Sequence, residues 1–244
     1  MDELKENTNI RKTLANYHVK VDFSIPPSED VILTKARRQG EERARFWNML
    51  VDIIPASGFL PPQDRPTTIL HLGCGRAQEA DVLAAYFGGG QFGSNSNQAI
   101  VVGVDIDNVS IKNAINFNSI PQQGVPTRYK IPDNMTFICG NATDLSMIKE
   151  VPEEVDVVIV RHQQISDDED TWKKIFTQGT RRLRNSGIVL LTSFSDPEHR
   201  MLRQAINELD LNLRIVVDQT NKWGRELQPG GAVLDKKVLV VKKT

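Results

Sequence analysis

Apolar residues along the chain follow two rhythms. Ala36, Gly40, Ala44, Trp47, Val51 and Ile54 recur at helical spacing before the prolines of SGFLPPQDRP (57–66). That spacing predicts an amphipathic helix over 29–54, with Ser28 as N-cap and Glu29 and Asp30 in the first turn. From Thr67 the rhythm shortens. ILHLG (69–73), AIVVGVD (99–105), MTFICG (135–140), VDVVIV (155–160) and GIVLLT (187–192) are brief apolar runs without alternation, which suits parallel strands covered on both faces. Helical stretches are expected after them at 78–87, 108–117, 145–150, 170–184 and 197–209. Strand alternating with helix implies βαβ units and an α/β, doubly wound sheet. Two further β-rich runs, LNLRIVV (211–217) and KVLVV (237–241), have no helix between them and predict an antiparallel hairpin at the sheet edge. The tally is about seven strands. Residues 1–27 are polar and end in Pro26-Pro27, so they read as an arm. GGGQFGSNSNQ (88–98) reads as a flexible insertion, a tolerated surface loop in preference to a lid.

Composition narrows the function classes. A chain of 244 residues, 39% hydrophobic, can bury a three-layer core without a disulfide or metal staple. The expected division is an arm and helix over 1–66, capping a pocket, and a single α/β domain over 67–244. Thirty Lys and Arg against 31 Asp and Glu leave a net charge of -1, which argues against nucleic acid or a membrane surface as a mainly electrostatic partner. Cys74 and Cys139 show no metal spacing, so no metal is expected. The first residues lack the apolar segment of a secretory signal, and no apolar run approaches the about 18 residues of a membrane span. A cytoplasmic protein is expected.

The turn after the first strand reads His71-Leu72-Gly73-Cys74-Gly75-Arg76-Ala77-Gln78-Glu79. Glycines between a strand and a helix let a ligand approach the backbone, and they also serve packing alone. The dinucleotide fingerprint needs glycine at 78, where this chain has Gln78, and no Gly-Lys-Ser/Thr phosphate loop is present. Asp105 closes the second strand. A carboxylate there is placed to accept hydrogen bonds from a ribose diol, while the simpler role of capping the next helix falls equally to Asp107 or Asn108.

The ordered series ILHLGCGRAQEA, VVGVDID, FICGNATDL, VDVVIV and LRNSGIVLLTSF resembles the motifs of class I S-adenosylmethionine-dependent methyltransferases. The resemblance covers about 67–244 and implies a Rossmann-like fold, a mostly parallel seven-stranded sheet with an antiparallel edge strand. It also implies S-adenosylmethionine as cofactor and S-adenosylhomocysteine as product. On this resemblance Gly73, Cys74 and Gly75 pass under the methionine part of the cofactor. Asp105 takes the ribose, Ile106 lies beside the adenine, and Asn141 and Ala142 meet the adenine edge. Arg161 and His162 follow strand four, where such enzymes place residues facing the methyl group, and Arg161 is counted with the cofactor-binding set. Two positions depart from the pattern. His71, also counted with the cofactor set, stands where the family has Asp or Glu, and Asn141 stands where it has Asp; a neutral hydrogen bond contributes nearer 1 kcal/mol.

Methyl transfer needs an aligned nucleophile and often a base. His162 is the candidate base, and it reads equally as a polar loop residue. Arg161 is expected to pair with a carboxylate of DDED (167–170), itself an acidic helix start, with an acidic substrate as the other reading. RHQQ bears no likeness to the Pro-Pro sequence of adenine or glutamine N-methylation, and neither cysteine is placed for pyrimidine C-methylation. Ser195-Asp196-Pro197-Glu198 reads as a helix start. The acceptor expected is a small molecule, methylated at oxygen or nitrogen. The alternatives are a non-catalytic binder of the same fold, an RNA methyltransferase and a nicotinamide oxidoreductase.

Overall fold

The computed structural model describes residues 29–90, 99–122, 125–209, 211–227, 229 and 232–243. The arm expected at 1–27, its N-cap Ser28 and most of the 88–98 insertion lie outside them. The first helix, α1 (Glu29–Ala56), leads through the proline-rich break into β1 (Thr68–Leu72). There follow α2 (Ala80–Ala85), β2 (Ile100–Asp105), α3 (Asn108–Asn118), the short pair β3 (Ile120–Gln122) and β4 (Val125–Lys130), and β5 (Met135–Cys139). The chain continues through β6 (Val155–Val160), α4 (Glu169–Arg182), β7 (Leu183–Ser193), α5 (Asp196–Asn207) and β8 (Leu213–Thr220). A two-stranded pair, β9 (Arg225–Glu226) and β10 (Val233–Leu234), precedes the last strand, β11 (Lys237–Lys243).

Seven strands form one sheet in the order β5-β2-β1-β6-β7-β11-β8. The pairs β5–β2, β2–β1, β1–β6 and β6–β7 are parallel, and β11 runs antiparallel to both β7 and β8. The final hairpin is therefore present, but its second strand slots inside the first and β8 forms the edge. All six residues of β6 are buried, as expected of a central strand with helices on both faces.

Two hydrophobic clusters cover the sheet. One joins α1, α2 and α3 to Ile69, Val101, Ile159 and Leu190; the other joins α4 and α5 to Leu70, Leu72, Val158 and Leu191. The alternation of β1 between them sends His71 to the α1 side, with Ile69. The face of α1 differs from the one expected. Phe46, Met49, Leu50, Ile53 and Ile54 are the buried stripe, whereas Gly40 and Ala44 are exposed and Trp47 and Val51 only half-buried. The large side chains set the phase because they remove more apolar area from water than the small ones do.

The helix expected at 145–150 is only a 3₁₀ turn, Leu145–Met147. The segment is too short to sustain an α-helix, and Pro152 follows closely. Arg182 also donates to the Leu145 carbonyl at 3.2 Å, occupying an acceptor that a continuing helix would use.

Candidate active site

At the carboxyl end of β1 the chain turns sharply. Gly73 and Gly75 adopt φ of +63° and +53°, and Ala77 follows at +45°. A β-carbon at Gly73 would meet the Trp172 ring at 3.3 Å, so this glycine is required by its conformation and by the aromatic wall beside it. Ala77 carries a left-handed backbone without being glycine, and the structure braces it. Its N–H donates to the Cys74 carbonyl at 2.8 Å, and the buried Asn118 of α3 donates to its own carbonyl at 3.1 Å. The Cys74 thiol is packed against Gly103, where a β-carbon would come within 2.9 Å of the sulfur. Burial pushes that thiol up, so it stays protonated and acts as packing.

Asp105 is locked to this turn. One carboxylate oxygen accepts the Gly75 N–H and the other the Asp107 N–H, each at 2.8 Å. Each oxygen keeps a further lone pair. Capping of α3 belongs to Asp107, which accepts from the Val109 and Ser110 N–H groups. Asp105 is thus held at the strand end with acceptor capacity to spare. Beside it Ile106 is 73% exposed, an apolar side chain presented to the outside. Just past β5 Ala142 is buried, and the Asn141 side-chain carbonyl accepts from both the N–H and the hydroxyl of Thr143, at 3.0 and 2.9 Å.

The chemistry gathers at the ends of β1 and β6, under α1. The Arg161 guanidinium is buried and sits 4.0 Å over the Phe46 ring of α1. Its Nη1 donates to Glu79 at 2.7 Å, and Nη2 and Nε donate to the two oxygens of Asp235 at 2.5 and 3.2 Å. The pairing expected with DDED does not form. Arg161 points under α1, while Asp168 caps α4 and Glu169 pairs with Lys173. Burial alone would neutralise these groups, but the ion pairs win. Arg161 is raised, Glu79 is lowered against its burial by Arg161 and then His71, and Asp235 is held well below the carboxylate range by Arg161 and His162.

Two histidines border this trio. His71 is buried with its Nε2 3.9 Å from Glu79, and burial lowers it to about 4, so the ring is neutral at pH 7. The negative charge that His71 lacks is therefore supplied next door by Glu79. His162 is only part-buried. Its backbone is left-handed at φ +59°, its ring stacks on Phe194 at 5.6 Å, and its Nε2 lies 3.3 Å from Asp235.

The loop between β8 and β11 closes over α1. Trp223 donates its indole N–H to Asp52 at 2.6 Å, Lys222 pairs with the same carboxylate, and Arg225 pairs with Glu42. Asn221 donates to the Asp235 carbonyl at 2.9 Å, fixing a residue whose own φ is +52°. Among the described residues no cluster of His, Cys, Asp and Glu has metal-binding geometry, and no helix is long and apolar enough to cross a membrane.

The structure thus brings His71, Gly73, Cys74, Gly75, Asp105, Arg161 and His162 to the carboxyl ends of the central strands β2, β1 and β6, with Ile106 following β2 and Asn141 and Ala142 following β5. Glu79 and Asp235 are functional candidates that sequence reasoning missed. Glu79 carried a usable signal, a charge immediately ahead of a helix that must pack on the sheet. Asp235 carried none, being 74 residues from its partner.

Comparison with known proteins bears on the fold and the family. No curated protein matches the sequence. The magnesium protoporphyrin IX methyltransferase of Synechocystis PCC 6803, solved with bound S-adenosylmethionine, is similar over 99% of this chain and 96% of its own, at 13% identity and a TM-score of 0.54. An S-adenosylmethionine-dependent methyltransferase from Clostridium acetobutylicum is similar over 96% and 98%, at 11% identity and a TM-score of 0.53. At such identities the likeness is one of fold. The family described as a methyltransferase domain matches residues 63–231, well over half of the sequence, and the chain belongs to that family.

Proposed function

We propose that this protein binds S-adenosylmethionine and transfers its methyl group to an oxygen or nitrogen of a small-molecule acceptor. The observation that carries this reading is Asp105, braced by the Gly75 and Asp107 N–H groups at the carboxyl end of β2, beside a turn with three left-handed residues. That arrangement fits a ribose diol, since each oxygen retains an acceptor site and charge-assisted bonds contribute about 1.5–3 kcal/mol each. Ile106 offers the apolar surface for adenine. The buried trio of two carboxylates and one guanidinium suits a ligand bearing an ammonium and a sulfonium. The cofactor, when bound, supplies a methyl group activated by positive sulfur. His162 then takes the proton that the acceptor loses, and Phe46 of α1 covers the Arg161 guanidinium.

The test is calorimetric titration with S-adenosylmethionine, S-adenosylhomocysteine and NAD, followed by a panel of hydroxyl and amine acceptors. Micromolar binding of both adenosyl ligands, weakened about a hundredfold or more in Asp105→Ala, supports the reading. Silence with both would overturn it, and adenosyl binding without turnover on any acceptor would reduce it to a binding protein.

A further inference from the structure

We infer that Asp235 fixes the proton of His162 on Nε2, so that Nδ1 is the atom that accepts the proton from the methyl acceptor. This rests on the reading of His162 as the base of a methyltransferase.

Two groups meet at Nε2. Asp235 Oδ1 lies at 3.3 Å and Arg161 Nη2 at 3.4 Å, so distance alone does not select the tautomer. The chemistry of the neighbours does. Asp235 is an ionised carboxylate and can only accept. A bare Nε2 facing it would set two lone pairs against each other, while a protonated Nε2 makes a charge-assisted hydrogen bond. Arg161 has little need of the ring, because its Nε, Nη1 and Nη2 already donate to Asp235 and Glu79. The further charges around the ring are Glu79 and neutral His71, reached through Arg161, and Arg45 of α1, which feels Asp235 and Arg161. The inner trio of Glu79, Arg161 and Asp235 carries one net negative charge, which favours a proton directed at it and steadies the imidazolium that forms later.

Nδ1 is left over. Among the described residues it makes no hydrogen bond, and the side chain keeps 35% of its surface exposed. The ring is held by the Phe194 stack and by a left-handed backbone at both His162 and Asp235. Two non-glycine residues in that conformation persist only where the surroundings over-determine them, a pattern common at functional sites. In the transfer step the acceptor's lone pair forms the bond to the methyl carbon, the carbon–sulfur electron pair stays on sulfur, and the acceptor's proton passes to Nδ1. Asp235 is a positioning residue in this scheme, since it touches only the far nitrogen of the ring.

Nitrogen-15 spectra of the histidine rings test this on the whole protein without an acceptor. The chain has only four histidines, so His162→Gln assigns the resonance. At pH values where the ring is neutral, the wild type is expected in the Nε2–H form. Asp235→Asn is expected to shift the tautomer ratio about tenfold toward Nδ1–H, because a neutral partner both donates and accepts. A wild-type ring protonated on Nδ1 would overturn the inference, as would a ratio unmoved in a folded Asp235→Asn protein. The wild-type spectrum decides even if the variant does not fold. Failure of the wild type to bind S-adenosylmethionine would instead overturn the functional reading on which the inference rests, and the two failures are read from different experiments.

Discussion

His199 and His162 both face an aspartate, and their surroundings make them different devices. His199, on α5, is closed on every side: Nδ1 lies 3.0 Å from the Ser193 hydroxyl and Nε2 2.8 Å from Asp218. Serine, histidine and aspartate in a row have the composition of a hydrolytic triad, yet Ser193 is 1% exposed and out of reach of any substrate. With both ring nitrogens engaged and the hydroxyl sealed in, the array ties α5 to β7 and β8. His162 has one nitrogen engaged, the other open, and a guanidinium–carboxylate trio behind it. The lesson is that identity and pairwise distance do not make a catalytic histidine. What sets His162 apart is an unused ring nitrogen, which the proton transfer proposed above requires.

The comparison breaks most severely at Arg161. Arg161→Ala leaves Glu79 and Asp235 buried without their cation, and we expect a loss of about 3–5 kcal/mol in urea unfolding, together with loss of His162 positioning. Next is the region around His199, whose neighbour Glu198 is buried and accepts the Phe194 N–H at 2.8 Å. Burial raises this carboxyl from an ordinary 4.5 to about 7. The unfolded chain therefore loses the proton first as pH rises, and stability is lost between about pH 4.5 and pH 7, by at most about 3 kcal/mol. Glu198→Gln should remove that slope, so its advantage over the wild type should be visible at pH 8 and absent at pH 4. A variant equally unstable at both would contradict this account.

Smaller effects separate the two histidines directly. His199→Ala breaks two buried hydrogen bonds, and we expect a stability loss of about 1–3 kcal/mol with S-adenosylmethionine affinity unchanged. His162→Gln should stay within about 0.5 kcal/mol of the wild type in unfolding while methyl transfer, once an acceptor is found, falls by about two to four orders of magnitude. Equal behaviour of the two variants in both assays would erase the distinction.

The fold was legible because its signals are local and redundant. Five apolar runs with helical stretches between them leave few topologies, and cap residues such as Asp168 and Ser195 sit where their side-chain chemistry puts them. The phase of α1 was misread because Gly40 and Ala44 count as apolar in a pattern but bury little area. The final hairpin was legible as a pair but not in its order, since inserting β11 between β7 and β8 depends on tertiary pairing. In the site, the glycine turn and Asp105 stood out because their roles follow from strand-end position. The partners of Arg161 did not. Nearby carboxylates in DDED made a plausible local guess, whereas burial under α1 selected Glu79 and Asp235, which no sequence spacing connects.

Asp235 follows Arg161 by 74 residues and stands just ahead of β11. β11 lies between β7 and β8 with Asp235 just ahead of it, so the pairing that joins β8 to the sheet also places the second carboxylate. A nascent or truncated chain lacking that final segment would retain Asp105 and the glycine turn but have no counter-ion behind His162. Completing the sheet and completing the Arg161 cluster are in this way one and the same pairing.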